Sequence, residues 1–297
     1  MNKDIIIKAI TPDGLSVIAA RTTNLVEDAR ETHNTTPVCS AALGRTLTAG
    51  AIMALGLKSD DAKLTIIIKG DGPTGSIVVT ANNKSIVKGY IDNPYVDIPI
   101  READYKLDVG KAVGQNGQIT VIKDLGLKKP YVGKVELVSG EIAEDIAYYF
   151  MVSEQQPSVV SLGVLVDIDE SIKSAGGIFV QPLPNCSEES IKYVESKLSE
   201  IAAFNKTLSE RKEPEQIIKD LFGELDVQIL ETIEPQFKCD CSKERIEEVI
   251  ISMGANEINS IIETDGEAEV VCQFCNKKYK LNKEELISLL FKASNKN

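Results

Sequence analysis

Four of the six cysteines in this 297-residue chain stand near its end as two close pairs, Cys239-Asp240-Cys241 and Cys272-Gln273-Phe274-Cys275, with 30 residues between them. Thiols in that pattern are metal ligands. Zn²⁺ takes four thiolates tetrahedrally, and two short turns that each offer two sulfurs can close its shell with no position left for water. Such a site is structural and does no hydrolysis. The C-x-C half is less usual than C-x₂-C, and a thiol two residues from another can form only a small, strained and easily reduced disulfide ring. One such pair makes the site a candidate switch.

The elements that must position these residues can be read from the apolar spacing. Residues 63–69, 76–81 and 86–91 are rich in Ile and Val and separated by Gly, Pro and Asn turns, which predicts an antiparallel meander. Residues 37–57 read as a helix of small side chains, and 140–153 as another with Ile142, Ile146 and Phe150 on one stripe. Strands are expected again at 158–167 and 177–181. From Ser187 the chain turns to highly charged helix in which Ile191, Val194, Leu198 and Ile201 are spaced to form one buried stripe, followed by a short helix carrying Ile217, Ile218, Leu221, Phe222 and Leu225. The last segment predicts a helix from Ser242 with Ile246, Val249, Ile250 and Met253 on one face, a second around 258–262, a hairpin holding Cys272 and Cys275, and a final helix from Asn282. The fold class is therefore α+β: an N-terminal sheet-and-helix core domain over 1–180, a charged helical linker over 181–234, and a small zinc-binding domain with four cysteine ligands over 235–297.

Composition narrows the function. At 43% hydrophobic and 26% charged the chain is globular, and its net charge of −12 argues against nucleic acid, whose phosphates are bound by clustered Lys and Arg. The longest weakly polar stretch, 46–57, reads as too short to span a bilayer, and the start lacks a signal-peptide core. A cytoplasmic protein with no membrane partner is expected, in a compartment where thiols stay reduced. Gly70-Asp71-Gly72-Pro73-Thr74-Gly75 spells a dinucleotide fingerprint, but the strand-forming residues after it replace the helix that must hold the pyrophosphate, so it reads as a hairpin turn. His33, the single histidine, reads as structural. Cys39 reads as a packed core thiol, and Cys186 as an ordinary thiol although it precedes a helix N-terminus. Glu141, Glu144 and Asp145 suit the start of a helix without any catalytic role.

Taken together, these residues resemble the redox-regulated heat-shock chaperonin family, the 33 kDa chaperonins, along the whole chain. The most specific parts are Phe237-Lys238-Cys239-Asp240-Cys241-Ser242-Lys243-Glu244-Arg245 and Val271-Cys272-Gln273-Phe274-Cys275-Asn276-Lys277-Lys278-Tyr279, with agreement also at 41–45, 70–73, 88–90, 93–94, 139–145 and 153–158. Asn276 departs mildly from the glycine common there, and Asn still tolerates a left-handed turn. The resemblance implies an ATP-independent holdase, not an enzyme, that is inactive when reduced and bound to one Zn²⁺ through Cys239, Cys241, Cys272 and Cys275. Oxidation would form two disulfides, release the metal and free a surface for unfolding client proteins; a homodimer is expected in the oxidised state. Short loops close fastest, so Cys239 is expected to join Cys241, and Cys272 to join Cys275. Two other readings compete. A zinc-ribbon interaction module would want a basic face, yet acids outnumber bases over 235–297, and a thiol oxidoreductase would want C-x₂-C near a βαβ unit rather than beside a second cysteine pair.

Overall fold

The computed structural model describes residues 3–210 and 212–294. It divides into two compact units, Met1–Lys238 and Cys239–Asn297. The first opens with the hairpin β1 (Ile5–Ile10) and β2 (Leu15–Arg21), then α1 (Thr23–His33) and α2 (Pro37–Met53). The meander β3 (Lys63–Lys69), β4 (Ser76–Asn82) and β5 (Ile86–Ile91) follows. After the short α3 (Val109–Val113) come β6 (Gln118–Asp124), β7 (Tyr131–Glu136) and α4 (Ala143–Val152). A long hairpin, β8 (Val159–Val166) and β9 (Ile172–Pro182), leads to four short helices. These are α5 (Glu188–Ser196), α6 (Leu198–Ala202), α7 (Phe204–Ser209) and α8 (Pro214–Phe222). Strands β10 (Gln228–Ile233) and β11 (Gln236–Phe237) close the unit.

The strands form two sheets, ordered β10-β1-β2-β9-β8 and β11-β5-β4-β3-β6-β7. All pairings are antiparallel except the short β11–β5 contact. Helix α2 touches β4 and β5 of one sheet and β8 and β9 of the other. Its small side chains are what let both sheets come close. A Cβ at Gly44 would lie 2.6 Å from Val26 and 2.8 Å from Val164, and one at Gly50 would lie 2.7 Å from Val79. The sequence reading of this region needs one correction: the window Pro37–Gly56 is long and apolar enough to cross a membrane, contrary to the reading of 46–57 alone. The hydroxyls of Thr46 and Thr48 hide in it by donating to the carbonyls of Ala42 and Gly44, both at 2.9 Å. With 83% of that window buried inside the protein, it is the core helix of the unit.

Strands β1, β2 and β9 of the first sheet contribute to apolar cores on both faces, which explains why β1 and β2 escape a reading based on alternation. Ile6 and Ala20 face the core shared with α2, whereas Ile7, Ala9, Val17 and Ala19 face a second core on the other side. That second core is completed by Ile201, Phe204, Leu208, Ile217, Ile218 and Phe222 of α6–α8. Helix α1 and strands β6, β7 and β10 are likewise additions to the elements expected from sequence, and β9 runs well beyond 177–181. The continuous stripe expected at Ile191, Val194, Leu198 and Ile201 does not form. The helix breaks at Lys197 and again at Ala203, so Val194 and Ile201 are buried while Ile191 and Leu198 are 39% and 45% exposed. Phe204 and Leu208 take the buried places instead.

The second unit holds α9 (Lys243–Met253), α10 (Ala255–Thr264), the hairpin β12 (Ala268–Val271) and β13 (Lys278–Leu281), and α11 (Lys283–Ser294). Its core is small: Ile250, Ile258, Ile262, Leu281, Leu286, Leu289 and Ala293. Val249 and Met253, expected on the buried face of α9, are about half exposed. The helices on either side of the cysteine turns are capped by side chains. Ser242 caps α9 by accepting from the Arg245 N–H, and Asn282 and Glu285 cap the start of α11 reciprocally at 2.9 and 3.0 Å.

Candidate metal centre

The first cysteine pair lies just before α9 and the second in the turn of the β12–β13 hairpin. Backbone geometry shapes each turn. Arg245 donates to the Asp240 carbonyl at 3.2 Å and to its carboxylate at 2.6 Å, clasping the residue between Cys239 and Cys241. In the hairpin the N–H groups of Cys275 and Asn276 both donate to the Cys272 carbonyl, at 3.3 and 2.8 Å, and the Cys272 N–H donates to the Lys277 carbonyl at 2.9 Å. Closing that turn requires a left-handed residue, and Asn276 supplies it with φ 56°. The turn thereby points both of its sulfurs the same way.

The four sulfurs meet. Those of Cys239, Cys241, Cys272 and Cys275 all lie within 4.8 Å of one another. Cys239 Sγ is 3.8 Å from Cys272 Sγ, and Cys241 Sγ is 3.4 Å from Cys275 Sγ. A tetrahedron with metal–sulfur bonds of about 2.3 Å has sulfur–sulfur edges of about 3.8 Å, so the donor set fits a tetrahedral thiophilic ion. All six cysteines are free thiols.

Without a counter-charge most of the cluster resists ionisation. Burial pushes the Cys239 thiol up to about 12, and burial also raises Cys275. At Cys241 burial acts in the same direction, but hydrogen bonds from the Tyr279 hydroxyl and the neighbouring thiols outweigh it and bring the group down to about 7. Tyr279 Oη donates to Cys241 Sγ at 3.1 Å, and that thiol keeps the phenol protonated. Four thiols this close cannot all ionise against one another; a bound dication reverses that logic and deprotonates its ligands. Tyr279 touches the cluster, and the sequence reading, which included it in the second matched segment, gave it no role. Its ring is buried and carries Lys277 Nζ at 5.1 Å from its centroid. Its position four residues after Cys275, on a strand leaving the turn, was the available signal.

The remaining candidates lie outside this cluster. His33 is buried, with Nε2 2.9 Å from the Gly89 carbonyl oxygen. Cys39 packs inside α2 with its thiol raised by burial, and burial followed by the nearby Asp13 charge raises Cys186. Neither is activated as a nucleophile. Two glycines of 70–75 pack against backbone, a Cβ at Gly70 lying 2.2 Å from the Val113 carbonyl oxygen and one at Gly72 2.3 Å from that of Ala112, while a Cβ at Gly75 would lie 2.8 Å from the Asp92 side chain. They serve the β3–β4 turn and cradle no phosphate. Asp145 is buried and accepts from the N–H groups of Val138, Ser139, Gly140 and Ile142, while Glu141 pairs with Arg45 and Arg101. Both acids tie the start of α4 in place.

Comparison with known proteins agrees with this geometry. The profile of the Hsp33 protein family matches residues 4–282. The 33 kDa chaperonin of Alkaliphilus oremlandii is 51% identical over 283 residues, spanning 95% of this chain and 94% of its own length. That of Clostridioides difficile is 48% identical over 292 residues, spanning 97% of this chain and 99% of its own. The crystal structure of the 33 kDa chaperonin (heat shock protein 33 homolog) from Thermotoga maritima matches with a TM-score of 0.87 at 34% identity, over 99% of this chain and 100% of that one. The two-sheet α+β unit and the small module with four clustered thiols are matched along nearly the whole chain by proteins named chaperonins, which makes this protein a chaperone rather than an enzyme. The chain belongs to the Hsp33 protein family.

Proposed function

We propose that this chaperone is a redox-regulated, ATP-independent holdase of the cytoplasm, inactive while Cys239, Cys241, Cys272 and Cys275 are reduced and hold one zinc ion. The observation that carries the reading is the convergence of those four sulfurs within 4.8 Å in a unit whose own core is small. Zinc bound there adds roughly 10–16 kcal/mol to the folding of the unit. The four thiolates are also the reductant. One peroxide takes two electrons from a thiolate pair, joins the two sulfurs and, with two protons taken up from solvent, leaves as two waters. Two such events consume all four ligands. Cys239 then pairs with Cys241 and Cys272 with Cys275, although the contacts at 3.8 and 3.4 Å in the folded cluster run between the turns. Pairing of sequence neighbours therefore reports that the unit has loosened before or during the second step.

Functionally the chain has three parts: a client-binding core over 1–180, a latch over 181–234 and the switch over 235–297. Support for the latch is the covering of Ile7, Val17, Ile178 and Val180 by α6–α8. Its acidic excess favours solvation once the apolar contacts are lost, so release would expose both its own apolar side and the sheet beneath it to clients. The oxidised form pairs as a homodimer. The test is zinc and free-thiol content before and after peroxide, with light scattering of an aggregating client and peptide mapping of the disulfides. One zinc lost per four thiols, with suppression of scattering appearing in step, is expected. Metal-free reduced protein, or full suppression while all four thiols remain free, would overturn the proposal.

A further inference from the structure

Helix α2 ends at Met53, and the chain turns away before it has covered the whole inner face of the first sheet. A cleft of about 740 Å³ remains beyond the helix end, within the roughly 300–1,000 Å³ of ordinary ligand sites. Its floor is apolar: Ile18 and Phe179 from the sheet, Ile52 and Met53 from α2, and Phe150 from α4. Leu125 and Leu127, 41% and 69% exposed in the β6–β7 loop, stand at its side. The charged lining is Lys8, Lys58, Lys123 and Glu154. Lys123 pairs with Glu154 at 2.7 Å, and the Tyr149 hydroxyl also donates to that carboxylate, so this pair cancels. The ammonium groups of Lys8 and Lys58 have no ion-pair or hydrogen-bond partner among the described residues. In a chain of net charge −12 the cleft is locally cationic.

We infer that this cleft binds a long-chain aliphatic carboxylate, with the chain on the Ile18–Phe179–Phe150 floor and the head group at Lys8 and Lys58. Lys8 stands opposite Ile18 in the β1–β2 register, which places its aliphatic stem beside the floor and its ammonium at the rim. Two acidic features nearby do not remove the bias. Glu231 faces Lys8 across β1–β10 without forming an ion pair, and the carbonyl end of α2 is offset by Lys58, which follows it closely. An extended peptide is the poorer occupant. Strands β1, β2 and β9 beneath the cleft are each paired on both sides, so no backbone edge is open for strand addition. What is offered is an apolar surface and one sign of charge, the complement of an anionic amphiphile.

The site is independent of the thiol cluster, and its test uses the full reduced, zinc-loaded chain. The probe is a dansyl-labelled undecanoic acid followed by fluorescence, with laurate and dodecanol as competitors below their aggregation limits. Saturable binding at one site per chain is expected, displaced by laurate and roughly tenfold less well by dodecanol, the size of effect two partly exposed charge contacts supply. The double variant Lys8→Gln, Lys58→Gln should lose the preference for acid over alcohol. Leu127→Asp, at an exposed loop position, should weaken both, and thermal melts verify that each variant is folded. No saturable binding, equal displacement by acid and alcohol, or variants that bind as the parent does would each overturn the assignment. So would an apolar peptide that displaces the probe better than laurate, which would make the cleft a chain-segment site. Sedimentation with phosphatidylglycerol vesicles in the absence of free-acid binding would make it a membrane contact, equally contrary to the inference.

Discussion

The two units hold themselves together in different ways. The first wraps a nearly all-buried helix between two sheets and adds a second apolar core on the outside of one of them, so its order comes from many independent contacts. The second has one core of seven buried apolar side chains among the described residues and, at the turn of a four-residue-strand hairpin and the segment before α9, four thiols that repel one another's ionised forms. Burial of apolar area is not reversible by chemistry under mild conditions, whereas a thiolate cluster is. A small unit whose folding depends on such a cluster can be melted by a two-electron oxidant that does not attack the inner core of the large unit. On the proposed reading, the switch lies in the unit with the thinner core.

The largest test of this contrast is metal removal. Chelation of the reduced protein, or Cys241→Ser, should strip about 10 kcal/mol or more of stability from the second unit. Hydrogen exchange would then show the amides of Ile250, Ile258 and Leu289 unprotected while those of α2 stay closed. Protection unchanged in both units would break the comparison.

Within the first unit, the outer core should respond by burial and not by sequence spacing. Phe204→Ala empties a fully buried site in the second core and should cost about 3–5 kcal/mol. If α5–α8 act as the latch, that variant suppresses client aggregation without oxidant. Leu198→Ala, at a site 45% exposed, should cost under about 1 kcal/mol and behave as the parent. Light scattering with both variants reads the difference; an active Leu198→Ala with a silent Phe204→Ala would reverse it.

A smaller effect is expected at the edge of the thiol cluster. Tyr279→Phe keeps the buried ring under Lys277 but removes the hydroxyl that donates to Cys241 Sγ. Zinc affinity measured by chelator competition should fall roughly tenfold, as for other groups that orient metal ligands, with the fold of the unit retained. Unchanged affinity would mean that the phenol only packs.

The smallest effect belongs to the first unit alone. Asp4 accepts from the N–H groups of Asn24 and Leu25 at 3.1 and 2.7 Å, and its burial raises it from 3.8 to about 6. An acid that holds its proton more tightly when folded contributes stability at low pH, and that contribution is lost as pH rises through the window from 3.8 to about 6. Going from about pH 7 to about pH 5 should therefore stabilise the first unit by about 1 kcal/mol through this group, and Asp4→Asn should flatten the dependence. Denaturant midpoints across that range measure it.

Much of the candidate site was legible in the sequence, because metal geometry constrains neighbours along the chain. Two sulfurs from each of two turns is a local property, and so are the hairpin between 268 and 281 and the left-handed residue Asn276. The β3–β5 meander was equally plain, since its strands alternate over one buried face. What the sequence withheld are relations between distant segments. Strand β1 presents Ile6 to one core and Ile7 to another, so its periodicity vanishes once α6–α8 cover the far side. Breaks at Lys197 and Ala203 rotate the buried face from Leu198 to Phe204, a choice made by the sheet beneath and invisible in the spacing. The Tyr279 hydroxyl reaches Cys241, 38 residues away in sequence, only because the hairpin folds back on the first cysteine turn. The cleft beside Lys8 exists because α2 stops short of the sheet it packs on. Ligand type, turn conformation and one-faced alternation are set by residues a few places apart, and the sequence alone determines them. Which face is covered, which thiols touch and where space remains depend on how separate elements pack, and only the tertiary structure decides those.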